Sequence, residues 1–257
     1  MKKFFVLLTA LTAFSLTGCN KVTYAEISED KFAEYYTEEK VAAAQESFDA
    51  IARFHFNFNQ VQKADGFDFI YNLARYFDEG YYYEYAKEHN FKAKESGDFL
   101  EDAVGHSLYL GNENVEQCML YQVVDDTTNG KDSHEQQVFE GQQAVNAYQE
   151  SLNVGKRIVS RSINNPIYIQ EEFASSNLKY FKGSDGTLKV TSTDTTGGLK
   201  AYSIVNASSL LLLRCSCSGI IDVEENTTYT LKMDYKFSYN QSFARKTPSQ
   251  IGYKEEE

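Results

Sequence analysis

Apolar and polar residues recur along this chain with a period that changes several times, and each change marks an element. An uncharged, mostly apolar run over residues 4–16 follows Met1-Lys2-Lys3. It falls short of the roughly 20 residues a spanning helix needs, and it has the order of an export signal. Residues 20–36 are polar and acidic, with Phe32, Tyr35 and Tyr36 as contacts, and read as a tether running into a short helix. Thr37 stands where an N-cap belongs, with Glu38 and Glu39 in the first turn, where the helix dipole favours negative charge. Val41, Ala44, Phe48, Ile51 and Ala52 then recur at helical spacing, which predicts a helix ending near Phe54. From there Phe54, Phe56 and Phe58 alternate with His55, Asn57 and Asn59, the signature of a half-buried strand.

Residues 67–77 fit either strand or helix. Asp78-Glu79-Gly80 predicts a turn into a long alternating run over 81–95, with Tyr81, Tyr83, Tyr85 and Phe91 on one face. Further strands are expected over 107–110 and 115–124. A helical period returns over 138–159, where Val138, Val145, Tyr148, Leu152 and Val159 share a face with the small residues Gly141, Ala144 and Gly155. Small residues on that side let a helix lie close against a sheet, although each glycine costs about 1 kcal/mol relative to alanine. Residues 178–182 and 187–192, joined by Gly183-Ser184-Asp185-Gly186, predict a hairpin. Strands follow over 199–205 and 210–217. The last strand is the most regular: Tyr229, Leu231, Met233, Tyr235, Phe237 and Tyr239 face one way, and Thr230, Lys232, Asp234, Lys236 and Ser238 the other. The expected organisation is a signal peptide at 1–18, a tether at 19–36, one domain at 37–243, and an acidic tail without fixed structure at 244–257. The expected fold class is α+β: a curved, half-barrel-like antiparallel sheet with helices packed on its concave apolar face.

Composition sharpens this picture in two ways. Tyrosine (19) and phenylalanine (18) supply aromatic area suited to strands and to a core. The net charge is −12, becoming −14 once Lys2 and Lys3 leave with the signal. Such a balance argues against a general basic field for nucleic acid or anionic headgroups. Cys118, Cys215 and Cys217 are an odd set, and they lack zinc-ligand spacing. Small buried hydrophobes is the better reading, with a Cys118 bridge to Cys215 or Cys217 left open.

Leu16-Thr17-Gly18-Cys19 resembles the lipobox of bacterial lipoproteins: an aliphatic residue, two small residues, then cysteine. The resemblance implies cleavage before Cys19, a diacylglyceryl group on its sulfur, further acylation such as palmitate, and an extracytoplasmic protein whose membrane partner is reached through that lipid. Asn20 is not an aspartate, the signal for inner-membrane retention in a two-membrane host. Over residues 40–240, the element order and amphipathic pattern resemble lipoproteins and lipoprotein carriers of the LolA and LppX/LprG type. That likeness implies a lipid or other apolar small molecule held inside the sheet. No short motif of the family is matched, so no ligand-binding residue is assigned. The alternative is a surface interaction protein with a filled core.

The chemistry-bearing residues argue against most enzyme classes. His55, His89, His106 and His134 accompany no G-x-S-x-G, H-E-x-x-H, P-loop or dinucleotide fingerprint. The pairs Asp125-Asp126 and Glu171-Glu172 are ordinary in an acidic chain, and neighbours on a strand face opposite ways. Asp125, Thr127 and Asn129, followed by Gly130, resemble the start of a calcium loop, but Gln136 stands where the closing glutamate belongs. Asn129-Gly130 is equally a strong hairpin-turn signal. No catalytic residue, metal site or cofactor is assigned. The acceptor patterns at Asn206, Asn226 and Asn240 mark polar turns only.

Overall fold

The computed structural model describes residues 22–94, 97–166, 177–193, 198–223 and 227–255. Cys19, the signal peptide, the pair Glu171-Glu172 and Asn226 lie outside the described residues. Twelve strands are found among the described residues: β1 (Tyr24–Ile27), β2 (Phe54–Ala64), β3 (Phe67–Asp78), β4 (Tyr81–Lys92), β5 (Phe99–Leu110), β6 (Met119–Thr128), β7 (Lys131–Glu140), β8 (Lys179–Gly183), β9 (Thr187–Thr193), β10 (Leu199–Asn206), β11 (Leu212–Val223) and β12 (Thr227–Tyr239). They form one antiparallel sheet in the order β1-β8-β9-β10-β11-β12-β2-β3-β4-β5-β6-β7. The α-helices among the described residues are α1 (Glu29–Ala33), α2 (Glu38–Asp49) and the long α3 (Gly141–Asn164). The fold class expected from sequence is therefore corrected. The protein is mostly β, and helices cover one end of one face instead of filling a concave interior.

One face, here the helix face, collects the aromatic positions of neighbouring strands. Phe54 pairs with Phe77, Phe77 with Tyr82, Tyr82 with Tyr109, and Tyr109 with Leu120, so one register row crosses five strands. Phe54 and Phe77 stack at 4.8 Å, and Phe77 and Tyr82 at 4.9 Å. Above this row lie Phe48 of α2 and Ala144, Val159 and Ile163 of α3, all buried. The two helices are linked by Gln45 Nε2 donating to Ser160 Oγ at 3.0 Å. Gly155 is where α3 crosses the sheet most closely: a Cβ there would meet the Phe56 and Phe54 rings at 3.1 and 3.2 Å. That close approach explains a glycine inside a helix.

The other, open face carries a smaller core at the same end. Tyr81, Leu108 and Val123 are buried with Ile251, and Phe243 and Tyr253 pack beside them. The residues expected to form an unstructured acidic tail thus return to the sheet. Arg245 donates to Asp78 at 2.9 Å, the Lys246 N–H to the Tyr81 hydroxyl at 2.7 Å, and Gln136 exchanges bonds with the Lys254 backbone at 2.8 and 3.0 Å. The expected tether is likewise incorporated from Tyr24 onward, with β1 paired to β8 and Phe32 of α1 buried.

Both cores are centred at one end of the long strands, with Leu73 of β3 and Leu231 of β12 buried farther along the helix face. Beyond Phe56 in β2, Tyr82 in β4 and Val123 in β6, and before Leu108 in β5, no residue is buried; β7 has none at all. The ten residues of β4 past Tyr82, at about 3.3 Å each, make a blade of roughly 30 Å in which no residue is buried and most side chains are half-buried against their neighbours.

Candidate functional site

On the open face of that blade, the register of four strands assembles polar groups far apart in sequence. Lys87 pairs with Val104, Val104 with Asp125, and Asp125 with His134. The next rung runs His89, Asp102, Thr127, Asp132. Successive rungs on one face are two residues apart, so the eight side chains form a continuous patch. Between them is an open groove of about 810 Å³ lined by Lys87, Asp102, Asp125, Asp132 and His134 among others. His134 Nδ1 lies 2.7 Å from Asp125 Oδ1, and His89 Nδ1 lies 2.8 Å from Asp102 Oδ1. Thr127 Oγ1 donates to Asp132 Oδ1 at 2.7 Å. The carboxylates remain open to water, with the Asp125 side chain 61% and the Asp102 side chain 48% exposed. Three aspartates against one lysine make the patch acidic.

The calcium-loop resemblance dissolves in this geometry. Asp125 and Thr127 belong to β6, and Asn129-Gly130 is the two-residue hairpin turn to β7, with φ of 50° and 76°. Both positions need positive φ, which asparagine and glycine tolerate. Asn129 Oδ1 accepts the Leu100 N–H at 2.9 Å, so it turns toward β5 and away from the other two oxygens.

The remaining histidines stand apart. His55 stacks on Tyr76 and His106 meets the Tyr83 hydroxyl at 3.1 Å; burial lowers both imidazole pKa values. Ser107 faces away from His106 and contacts Gln122. Cys118, Cys215 and Cys217 are buried and unbridged, which closes the question of a disulfide. Burial pushes the Cys215 and Cys217 thiols up, away from reactivity. Sequence reasoning passed over Lys87, Asp102 and Asp132. The signal was present, because counting outward from the Asn129-Gly130 turn pairs Thr127 with Asp132 and Asp125 with His134.

The expectation of a lipid or apolar small molecule held inside the sheet is also corrected. The aromatic face is occupied by its own rings and by the helices, as in the stacks of Phe58 on Tyr235 at 4.3 Å and Tyr109 on Tyr148 at 4.4 Å. The grooves of about 810, 250 and 210 Å³ are open surface features with mixed polar and apolar walls, not an enclosed apolar cavity.

No protein-family model and no curated protein sequence matches the chain. Among solved structures it is similar to the N-terminal β-barrel domain of Pseudomonas aeruginosa OprF, at 6% identity over 72% of this chain and 97% of that one, TM-score 0.18. It is similar to Neisserial surface protein A at 7% identity, over 72% and 94%, TM-score 0.19. It is similar to Ail, the attachment invasion locus protein of Yersinia pestis, at 7% identity, over 73% and 95%, TM-score 0.17. These are bacterial outer-membrane barrel proteins, and none is a lipoprotein carrier. The LolA and LppX/LprG resemblance is withdrawn accordingly. The comparisons likewise bring forward membrane proteins in place of lipoproteins, so they lend nothing to palmitate or to a membrane partner reached through Cys19. At such TM-scores the likeness carries no argument about this chain, and the fold assignment rests on its own strand order.

Proposed function

We propose that this chain is a non-catalytic binding protein of the bacterial envelope, held at a membrane by its N-terminal segment and presenting the hairpin end of its sheet to macromolecular partners. The observation that carries this reading is the blade: β4 and β5 run roughly 30 Å past the last buried residue of each, flanked by shorter extensions of their neighbours, with charged side chains on both faces. Backbone is costly to order and edges are hazardous to expose, so an extension of that length that adds little to the core is a surface in use.

The sheet itself is a poor membrane span. Its terminal strands β1 and β7 do not pair with each other among the described residues. A spanning barrel needs a closed ladder and an outward apolar band about 25 Å tall. Here the open face carries Lys87, Asp125, Lys232, Asp234 and Lys236, and the helix face carries the Arg75–Glu84 ion pair. Attachment therefore falls to the N-terminal segment. On the spacing of Leu16, Thr17, Gly18 and Cys19 alone, Cys19 is the residue assigned to it, through acylation.

Cell fractionation tests both parts. The full chain is expected in the membrane fraction, with its hairpin end open to protease added outside the cytoplasm, and mass spectrometry is expected to find an acylated amino-terminal Cys19 peptide. Cys19→Ser should lose that mass and the membrane association. A cytoplasmic full-length chain overturns the location, and an unmodified Cys19 on a membrane-bound chain overturns the attachment.

A further inference from the structure

The acidic groove lies beside a free edge of the sheet, and the two together define a partner. Among the described residues, strand β7 is terminal in the strand order and pairs only with β6. Residues 131–135 are exposed, and none of the ten residues of β7 is buried. In an antiparallel ladder, every second residue of such a strand turns both its N–H and its C=O outward. Along roughly 34 Å of edge, these groups await another strand, the geometry used in β-strand addition.

The side chains select what can add. On the open face an incoming strand would run past Asp132 with Asp125 and Asp102 behind it. On the helix face it would meet Glu135, beside which Asp126 stands in β6. Lys131 and Lys87 offset only part of this charge. A second copy of β7 fits badly: a two-fold axis normal to the sheet requires each residue to face one of the same side. The two full-length registers then set Glu135 against its own copy, or Asp132 against Glu140. Like charges directly opposite destabilise a pair. The charges that keep two copies apart attract a strand of opposite sign, and the net charge of −12 steers it in.

We infer that β7 is the docking edge for an extended, lysine- or arginine-rich polypeptide segment, which adds to the sheet as a thirteenth strand and seats alternate basic side chains in the Asp102–Asp125–Asp132 groove. The inference rests on the reading of the blade as a binding surface and names its partner class.

The test uses the full chain in detergent and a fluorescent ten-residue peptide of alternating lysine and valine, followed by anisotropy. The same peptide with every backbone nitrogen methylated keeps the charge and loses the strand donors, and should bind at least tenfold more weakly. A glutamate–valine peptide should not bind. Asp102→Asn combined with Asp125→Asn and Asp132→Asn should weaken the lysine peptide at least tenfold, and Lys200→Gln should leave it unchanged. Should the triple variant melt early, Glu135→Gln alone is expected to weaken binding about threefold. Hydrogen exchange at β7 amides should slow when the peptide is bound. Equal affinity for the methylated peptide, no binding, or slowed exchange elsewhere overturns the inference. Fractionation decides the envelope reading independently: a membrane-bound chain that ignores the peptide refutes this inference alone, and a cytoplasmic chain that binds it refutes only the location.

Discussion

Replacing Phe77 with alanine should cost far more than replacing Phe91, although both are phenylalanines of adjacent strands in one hairpin. Phe77 is fully buried, stacked on Phe54 at 4.8 Å and Tyr82 at 4.9 Å under the helices. Phe91 lies near the hairpin tip on the open face, partly exposed. Truncating a core phenylalanine typically costs about 3–5 kcal/mol, transfer and cavity terms together. Here the surrounding rings are held in sheet register, which leaves little room to collapse into the void, so the upper half of that range is expected. For a chain of this size roughly 4 kcal/mol lowers the melting temperature by about 10 °C, and it consumes much of a typical stability of about 5–15 kcal/mol. Phe91→Ala removes partial burial from a region without a core, and should cost about 1 kcal/mol or less. Urea and thermal denaturation of the two variants measure the difference. Comparable losses for both would mean that the tip carries a core of its own, and the division into anchored end and blade would be wrong.

Other consequences are equally concrete. Burial alone would raise the Asp78 carboxyl, but hydrogen bonds from Arg245 and Arg53 outweigh it and hold the group below its usual 3.8. A depressed folded value contributes stability that is present above the unfolded pKa and lost as pH falls toward the folded one. Acid titration should therefore destabilise the native chain below about pH 4, and Asp78→Asn should be weaker at pH 7 yet flatter across the acid range. Thr37→Ala removes the side-chain bond to the Lys40 N–H and should cost about 0.5–1 kcal/mol in a thermal melt. Cys118, Cys215 and Cys217 should resist a thiol reagent in the native state and react together on unfolding, because all three are buried.

Much of the strand content was legible because period-2 alternation survives wherever one face is covered. The Phe54-Phe56-Phe58 run, the turn at Glu79-Gly80, the hairpin of β8 and β9 and the inward face of β12 all stand where the pattern puts them. The Thr37 cap and the close passage of Gly155 were readable for the same kind of reason: one residue type answers one local need. The failures share a cause as well. β7 (Lys-Asp-Ser-His-Glu-Gln-Gln) has no buried face, so its sequence shows no alternation, and Val138 was drawn into the helix that follows. Residues 67–77 were ambiguous because both faces of β3 carry apolar residues, Tyr71, Leu73 and Phe77 on the helix face and Ile70, Ala74 and Tyr76 on the open face, so the alternation is blurred. The acidic tail hid Ile251 and Tyr253, two anchors too widely spaced to form a period. The groove required register, which pairs residues 87 and 134 through two intervening strands. Composition records that carboxylates are plentiful but not which of them meet.

Hydrogen exchange of the unliganded full chain, resolved strand by strand, examines the central claim most directly. Amides near Phe54, Phe77, Tyr82 and Leu120 should open only with global unfolding. Those at the hairpin tips should exchange orders of magnitude sooner, and half of the amides over residues 131–136 should exchange almost as fast as in a free peptide, since nothing among the described residues pairs with them. Uniform protection from core end to tip, or slow exchange all along β7, would mean that the blade is braced and its edge already covered, and the binding surface described here would not exist.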